Sequence, residues 1–179
     1  MNYLVLYSSH YGNTKQYADW ITEELDATEM NFKDVSAEDY KNADVIILGG
    51  GLYAGSMNGL KRFVKQYHLL VDKKVIIFTC GLSDPSDPKM VRGIEEKLYA
   101  KMSIEMKKNI KQFHFRTGID YSKLNCVHSA MMAFLKHSLK KKDPKVLLKE
   151  EKFLLETYGQ TLRYHDKSSI DKLIRYACK

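Results

Sequence analysis

The amino-acid sequence predicts an α/β fold in which a five-stranded parallel sheet has helices on both faces. Short apolar runs alternate five times with amphipathic helical stretches, as in a chain that adds strand and helix in turn. Two of the runs are apolar throughout, which is typical of strands covered on both faces. The connections between runs are long enough for the crossover helices that parallel strands require.

The spacing of apolar residues predicts each element. The predicted strands are short apolar or β-rich runs at residues 3–7, 29–35, 45–48, 75–79 and 112–116. The predicted helices have apolar residues on one face and cover about residues 17–25, 60–67, 89–109, 145–164 and 169–178. No internal repeat or low-complexity linker interrupts the chain, so we predict a single domain over residues 1–179.

Charge is distributed unevenly along the chain. Residues 1–100 contain 11 Lys and Arg against 14 Asp and Glu, whereas residues 101–179 contain 18 against 8, so balances of −3 and +10 make the net charge of +7. This asymmetry predicts a basic surface for an anionic partner or membrane, unless the lysines are merely solvated. The three widely spaced cysteines and scattered histidines predict a cytoplasmic protein without a disulfide framework or metal site.

Three predicted loops at strand ends contain the residues best suited to bind a ligand, because ligands of open parallel sheets bind at that edge. The first loop, from Ser8 to Thr14, combines hydroxyl and amide groups, a glycine and a helix start, which can hold a phosphate. It lacks the lysine of a triphosphate-binding loop, so a monophosphate is the better fit. Ordinary helix capping by Ser9 or Asn13 is the alternative.

The second and third loops follow the two fully apolar strands. In the second loop, three consecutive glycines would let the backbone approach a flat ligand and Tyr53 would stack on its ring, unless Tyr53 belongs to the core. In the third loop, backbone groups around Gly81 would hydrogen-bond the polar edge of such a ring. Cys80 is interpreted as a buried small hydrophobe, since nothing adjacent would lower the pKa of its thiol.

These loops resemble those of flavodoxins. The first is similar to the flavodoxin phosphate loop, a Ser- and Thr-rich stretch that ends in Gly-x-Thr. The resemblance implies a flavodoxin-like three-layer sandwich with strand order 2-1-3-4-5 and FMN as the cofactor. Within this superfamily, residues 49–55, 63–67 and 115–124 resemble the group that contains the menaquinone-dependent protoporphyrinogen IX dehydrogenases.

The resemblance also implies which residues hold FMN. Six residues of the first loop would hold the phosphate: Ser9, His10, Tyr11, Gly12, Asn13 and Thr14. Four residues of the second loop would flank the isoalloxazine ring: Leu52, Tyr53, Ala54 and Gly55. Five residues would line its other edge: Thr79, Cys80, Gly81, Leu82 and Ser83. No catalytic residue is implied, because the cofactor performs the electron or hydride transfer, and His114 is interpreted as structural.

One segment, at about residues 123–142, does not fit the alternation of strands and helices. It has an apolar stripe at helical spacing, with lysines beside and after it; the stripe consists of Leu124, Val127, Met131, Phe134, Leu135 and Leu139. A basic amphipathic helix of this kind can lie on an anionic membrane or cover a hydrophobic substrate site. The alternative is a helix whose stripe packs on the core.

The sequence therefore predicts an FMN-dependent oxidoreductase, and the resemblance implies a quinone-linked protoporphyrinogen IX dehydrogenase. The alternative is a flavodoxin-type electron carrier between protein partners, although such carriers are typically acidic and this chain has a pI of about 9.1. A decayed flavin site or a nucleic-acid-binding protein has less support, since the loops keep their glycines and hydroxyls and the basic residues form no reading motif. We expect a cytoplasmic protein with peripheral contact to the inner face of the cell membrane through residues 123–142.

Overall fold

The computed structural model describes residues 1–53 and 55–179, and the chain divides into two compact units. The first unit comprises Met1–Thr117 and His165–Lys179, and the second comprises Gly118–Tyr164. A single domain over residues 1–179 stays a prediction. Within the described residues, every helix is too short or too polar to span a bilayer.

A largely parallel sheet forms the centre of the first unit. Its strands are β1 (Tyr3–Ser8), β2 (Thr28–Asn31), β3 (Val45–Tyr53), β4 (Ser56–Met57), β5 (Lys74–Gly81) and β6 (Ile110–Arg116). The five parallel strands have the order β2-β1-β3-β5-β6, which confirms the predicted fold class and order. The sheet has six strands where five were predicted. The additional strand is β4, which pairs antiparallel with the end of β3 and, with two residues, is too short to show a periodic pattern.

Eight helices lie between and after these strands in the described residues. They are α1 (Asn13–Leu25), α2 (Ala37–Lys41), α3 (Leu60–Gln66), α4 (Pro88–Tyr99), α5 (Ile104–Asn109), α6 (Cys126–Lys140), α7 (Lys149–Thr157) and α8 (Asp171–Ala177). The helix predicted over residues 89–109 is two helices, because the Ser103 hydroxyl starts a new one by accepting the Met106 N–H at 3.2 Å. The helix predicted over residues 145–164 is only α7, and Gly159 follows its end with a φ of 88°.

The helices of the first unit cover both faces of the sheet. On one face, α1 and α8 pack against strand side chains such as Val5, Ile47 and Phe78. On the other face, α2, α3, α4 and α5 pack against strand side chains such as Leu6 and Leu48. Successive residues of one strand thus enter two different cores, which explains why the central strands are apolar throughout.

The glycine-rich segment after Leu48 lies within the sheet and not in a loop, because β3 continues to Tyr53. A Cβ atom on Gly49 would overlap the ring of Phe78 on β5, and one on Gly50 would overlap the backbone of Asn58. These two glycines make room for neighbouring parts of the protein. The interpretation that all three glycines open a path for a ligand is therefore wrong for the first two.

The second unit is built from α6 and α7. A single antiparallel bridge joins Ile119 to Leu162, near the two ends of the unit. The ammonium group of Lys136 on α6 lies 3.9 Å from the centre of the Tyr158 ring, just after α7, which is a cation–π contact. The helix predicted within residues 123–142 is α6, and its bounds fall inside that range.

Candidate functional site

The loop between β1 and α1 makes a sharp turn directly before the helix. Gly12, the last residue before α1, has a φ of 86°, a conformation that side-chain-bearing residues rarely adopt. The Gly12 N–H donates to the Ser9 hydroxyl at 3.0 Å, and the Gly12 carbonyl accepts from the Gln16 N–H at 2.9 Å. The turn is therefore held from both sides.

The start of α1 has the properties of an anion site. The residue at the N-cap position of α1 is Gly12, which has no side chain to cap the helix, and among the described residues no acidic residue lies in the first turn. Backbone donors and the positive end of the helix dipole therefore face the loop, an arrangement that favours a phosphate. Ordinary helix capping by Ser9 or Asn13 stays an alternative, since the Ser9 hydroxyl accepts the Gly12 N–H directly beside the helix start.

Thr14 connects this helix start to the ends of β3 and β5. Its side chain is buried beside the Cys80 thiol. Burial raises the pKa of the Cys80 thiol far above its usual range, and the neighbouring Thr14 hydroxyl offsets only part of this effect. Cys80 is thus a neutral buried thiol, as expected. A Cβ atom on Gly51 would lie 3.5 Å from the Thr14 hydroxyl, so these backbones approach closely.

Three rings lie at the same edge of the sheet. The ring of His10 meets that of Tyr53 edge-on, with centroids 5.3 Å apart, and is 6.3 Å from that of Tyr11. Burial raises the pKa of Tyr53 to about 12, with smaller contributions from the nearby Tyr11 and Cys80. The Tyr53 phenol therefore stays protonated at neutral pH. This cluster joins the first and second loops of the predicted site.

Lys97 in α4 and Lys101 just after that helix reach Gly55 and Ser56. The Lys101 ammonium donates to the Ser56 hydroxyl at 2.7 Å, and a Cβ atom on Gly55 would lie 2.8 Å from the Lys97 ammonium. Gly55 itself has a φ of 76°. The predicted site residue Ala54 lies outside the described residues. Positive charge is thus placed beside the second loop, which the sequence alone did not indicate.

The third loop is held by the end of β6. The Thr117 N–H donates to the Gly81 carbonyl at 2.7 Å, and the Arg116 Nε donates to the Leu82 carbonyl at 3.2 Å. The second and third loops also meet, because a Cβ atom on Gly81 would lie 3.2 Å from the Leu52 side chain. Ser83 follows, partly exposed. Sequence reasoning did not assign a role in this loop to Arg116, the last residue of a predicted strand, or to Thr117 directly after it.

Thr79 does not share this environment. Its side chain is buried, and its hydroxyl lies 2.7 Å from the Nδ1 atom of His114 on β6. The Nε2 atom of His114 lies 3.9 Å from the Glu95 carboxylate on α4. Burial lowers the pKa of His114 to about 4, so the ring is neutral at pH 7 and this contact is not an ion pair. The two side chains thus contact each other between β5 and β6, and a contact of Thr79 with the cofactor stays a prediction.

We expect His114 to make the protein less stable in acid. Its pKa is about 4 in the folded protein against 6.5 for an ordinary histidine, so between these pH values the unfolded chain binds a proton that the folded chain does not. Within this range, the free energy of unfolding should fall by about 1.4 kcal/mol for each unit by which the pH is lowered. Urea denaturation at pH 7, 6, 5 and 4 should show a shallower decline for His114→Gln. Parallel profiles for the two proteins would contradict this assignment.

Comparison with known proteins gives one family and several structures. The sequence model of the flavodoxin domain matches residues 4–145. A flavodoxin from the domain Archaea is 21% identical over 65% of this chain and 85% of that one, with a TM-score of 0.43. Flavodoxin 2 from Bacillus cereus is 23% identical over 64% and 84%, with a TM-score of 0.42. The Trp repressor binding protein from Bacillus subtilis is 16% identical over 64% and 84%, with a TM-score of 0.45. The search of curated proteins gave no match.

Proposed function

The chain belongs to the flavodoxin domain family, and from this membership we propose that it binds FMN at the carboxyl edge of its sheet. The turn at Gly12 carries the proposal, because its left-handed backbone turns the chain directly into the start of α1 with a residue that has no side chain at the N-cap position. A phosphate monoester is the anion that such neutral donors suit. The donor set therefore fits the phosphate of FMN.

The three loops would divide the binding between them. Backbone N–H groups at residues 13 and 14 would hold the phosphate, and the Ser9 hydroxyl, which accepts the Gly12 N–H, would keep the turn in place. Leu52 and Tyr53 would flank the isoalloxazine ring, and the backbone at Gly81 and Leu82 would contact its polar edge. Bound FMN would supply electron or hydride transfer, while the protein orients it and limits solvent access.

The absorbance of the purified protein tests this proposal. We expect a yellow protein with the bands of oxidised flavin, and we expect denaturation to release FMN that chromatography can identify. FAD or riboflavin as the only released flavin would argue against a site built for a phosphate monoester. A colourless protein that stays colourless after incubation with FMN would refute the proposal.

For the reaction, we propose an oxidoreductase that passes electrons from a hydrophobic reduced substrate to a quinone. The support is the resemblance of residues 49–55, 63–67 and 115–124 to the quinone-linked protoporphyrinogen IX dehydrogenases. Oxidation of protoporphyrinogen IX with a menaquinone analogue, followed by porphyrin fluorescence, is the direct assay. No turnover by the FMN-loaded protein would remove this substrate and leave the cofactor proposal intact.

A flavodoxin-type electron carrier is the second candidate. The charge around the site separates the two candidates. Carriers of this kind are typically acidic, whereas here Lys97 and Lys101 lie at the edge of the second loop. This positive charge favours the proposed oxidoreductase over the electron carrier. Rapid reduction by a flavodoxin reductase, without turnover of any small molecule, would favour the carrier.

A quinone acceptor would also fix where the protein works. Quinones of this class dissolve in lipid, so the proposal includes a cytoplasmic protein that works at the inner face of the cell membrane. Residues 123–142 are the segment predicted to make that contact. They belong to the second unit.

A further inference from the structure

Helix α6 presents an apolar face to solvent. The α6 apolar face consists of Val127, Met131, Phe134 and Leu135, whose spacing of four, three and one residues places them along one side of the helix. All four are exposed, and Phe134 is the most exposed at 74%. A phenylalanine, a methionine and two aliphatic residues in one exposed stripe are more than the scattered surface hydrophobes of an ordinary protein.

Other residues of α6 hold the helix within its unit. Leu139 is buried, and Lys136 makes the contact with the Tyr158 ring already described. The helix is therefore fixed by residues other than those of the α6 apolar face. The alternative that the whole predicted stripe packs on the core fails for these four side chains, because they are the exposed ones.

A basic segment continues directly from the α6 apolar face. Five exposed lysines stand at its end and beyond it: Lys140, Lys141, Lys142, Lys145 and Lys149. The acidic residues nearby are Asp143, Glu150 and Glu151, of which Glu151 pairs with Lys142 at 2.6 Å, so the segment keeps an excess of positive charge. Lys141 follows Phe134 by seven residues, which places it two turns further along the same side. Val146 and Leu148 lie between the last two of these lysines and are 65% and 64% exposed.

Apolar and basic side chains are thus concentrated in one stretch of the chain. Of the ten large hydrophobic residues that are exposed in the described structure, six lie between residues 127 and 148. This combination is typical of a helix that lies flat in a lipid headgroup region, with apolar side chains entering the bilayer and lysines meeting lipid phosphates.

We propose that the α6 apolar face and the basic segment after it dock the protein on an anionic lipid bilayer. Charge complementarity selects this occupant, because an anionic bilayer supplies the negative charge that the basic segment lacks, whereas a second copy of the chain would add the same excess of lysines. The proposal deepens the membrane location proposed above but requires no flavin. Its success or failure is therefore independent of FMN binding.

Cosedimentation of the flavin-free full chain with lipid vesicles tests the proposal. We expect binding to vesicles of phosphatidylcholine with phosphatidylglycerol, little binding to phosphatidylcholine alone, and weaker binding as NaCl rises from 0.1 to 0.5 M. Phe134→Asp should reduce partitioning more than about tenfold. The matched control is Ile104→Asp, which replaces a side chain of the first unit that is 73% exposed, and it should bind as the unmodified protein does.

A second pair of variants tests the lysines. Substituting glutamine at Lys140, Lys141 and Lys145 should weaken partitioning about a hundredfold, whereas the same change at Lys107, Lys108 and Lys111 in the first unit should have a much smaller effect. Circular dichroism would establish that each variant is folded. Equal binding of Phe134→Asp and Ile104→Asp would overturn the proposal. So would a stable dimer in light scattering that Phe134→Asp dissociates, because the face would then belong to a second copy.

Discussion

Replacing Gly12 by valine is expected to weaken FMN binding about a hundredfold or more while riboflavin binding changes little. Gly12 has a φ of 86°, which a β-branched residue cannot adopt without strain. A Cβ atom there meets nothing within 4 Å, so the change acts through the backbone and not through a clash. Two misdirected hydrogen bonds to a charged phosphate would account for a loss of this size.

Gly12→Asn is the matched control, because asparagine tolerates the left-handed conformation much better than valine does. We expect it to keep FMN affinity within about tenfold of the unmodified protein. Flavin fluorescence titration gives both affinities, and thermal denaturation checks that the valine variant is folded. Equal losses for FMN and riboflavin would show that the turn does not recognise the phosphate.

Replacing Gly49 by alanine should destabilise the protein by about 3 kcal/mol, the upper part of the usual range for overpacking. The new Cβ would overlap the ring of Phe78, which is fully buried and paired with Gly49 across β3 and β5. The lower chain entropy of alanine would return at most about 1 kcal/mol. Urea denaturation at neutral pH measures the loss.

A double-mutant cycle with Phe78→Leu separates this clash from other causes. If the ring is the obstacle, Gly49→Ala should cost less in the Phe78→Leu background, with a coupling of about 2 kcal/mol. The double variant should still bind FMN, because Gly49 lies inside the sheet and not at its edge. Additive losses would contradict the packing role of Gly49.

The fold was largely predictable from the sequence because both faces of the sheet are covered. Strand residues such as Ile46 and Ile47 enter opposite cores, and this produces the continuous apolar runs that identify a buried parallel strand. The break between α4 and α5 was not predictable from periodicity, since apolar residues continue on both sides of it. Only the cap made by the Ser103 hydroxyl marks the new start.

The candidate site was predictable where the backbone requires a particular residue. Gly12 stood out because a turn into a helix favours glycine. Gly49 and Gly50 also suggested a ligand site, but they are glycines for a different reason: a side chain there would overlap neighbouring residues of the protein. Arg116 and Thr117 were missed because they bind carbonyl groups of a loop that is distant in the sequence, and the pairing of β5 with β6 that brings them there becomes visible only in the fold.

The central claim is that the turn at Gly12 and the start of α1 form a site for the phosphate of a bound flavin. Parallel titrations of the flavin-free protein with FMN and with riboflavin test it most directly, because the two ligands differ only in that phosphate. We predict that FMN binds at least about a hundredfold more tightly than riboflavin. Equal affinities for the two flavins, or no binding of FMN, would contradict the claim.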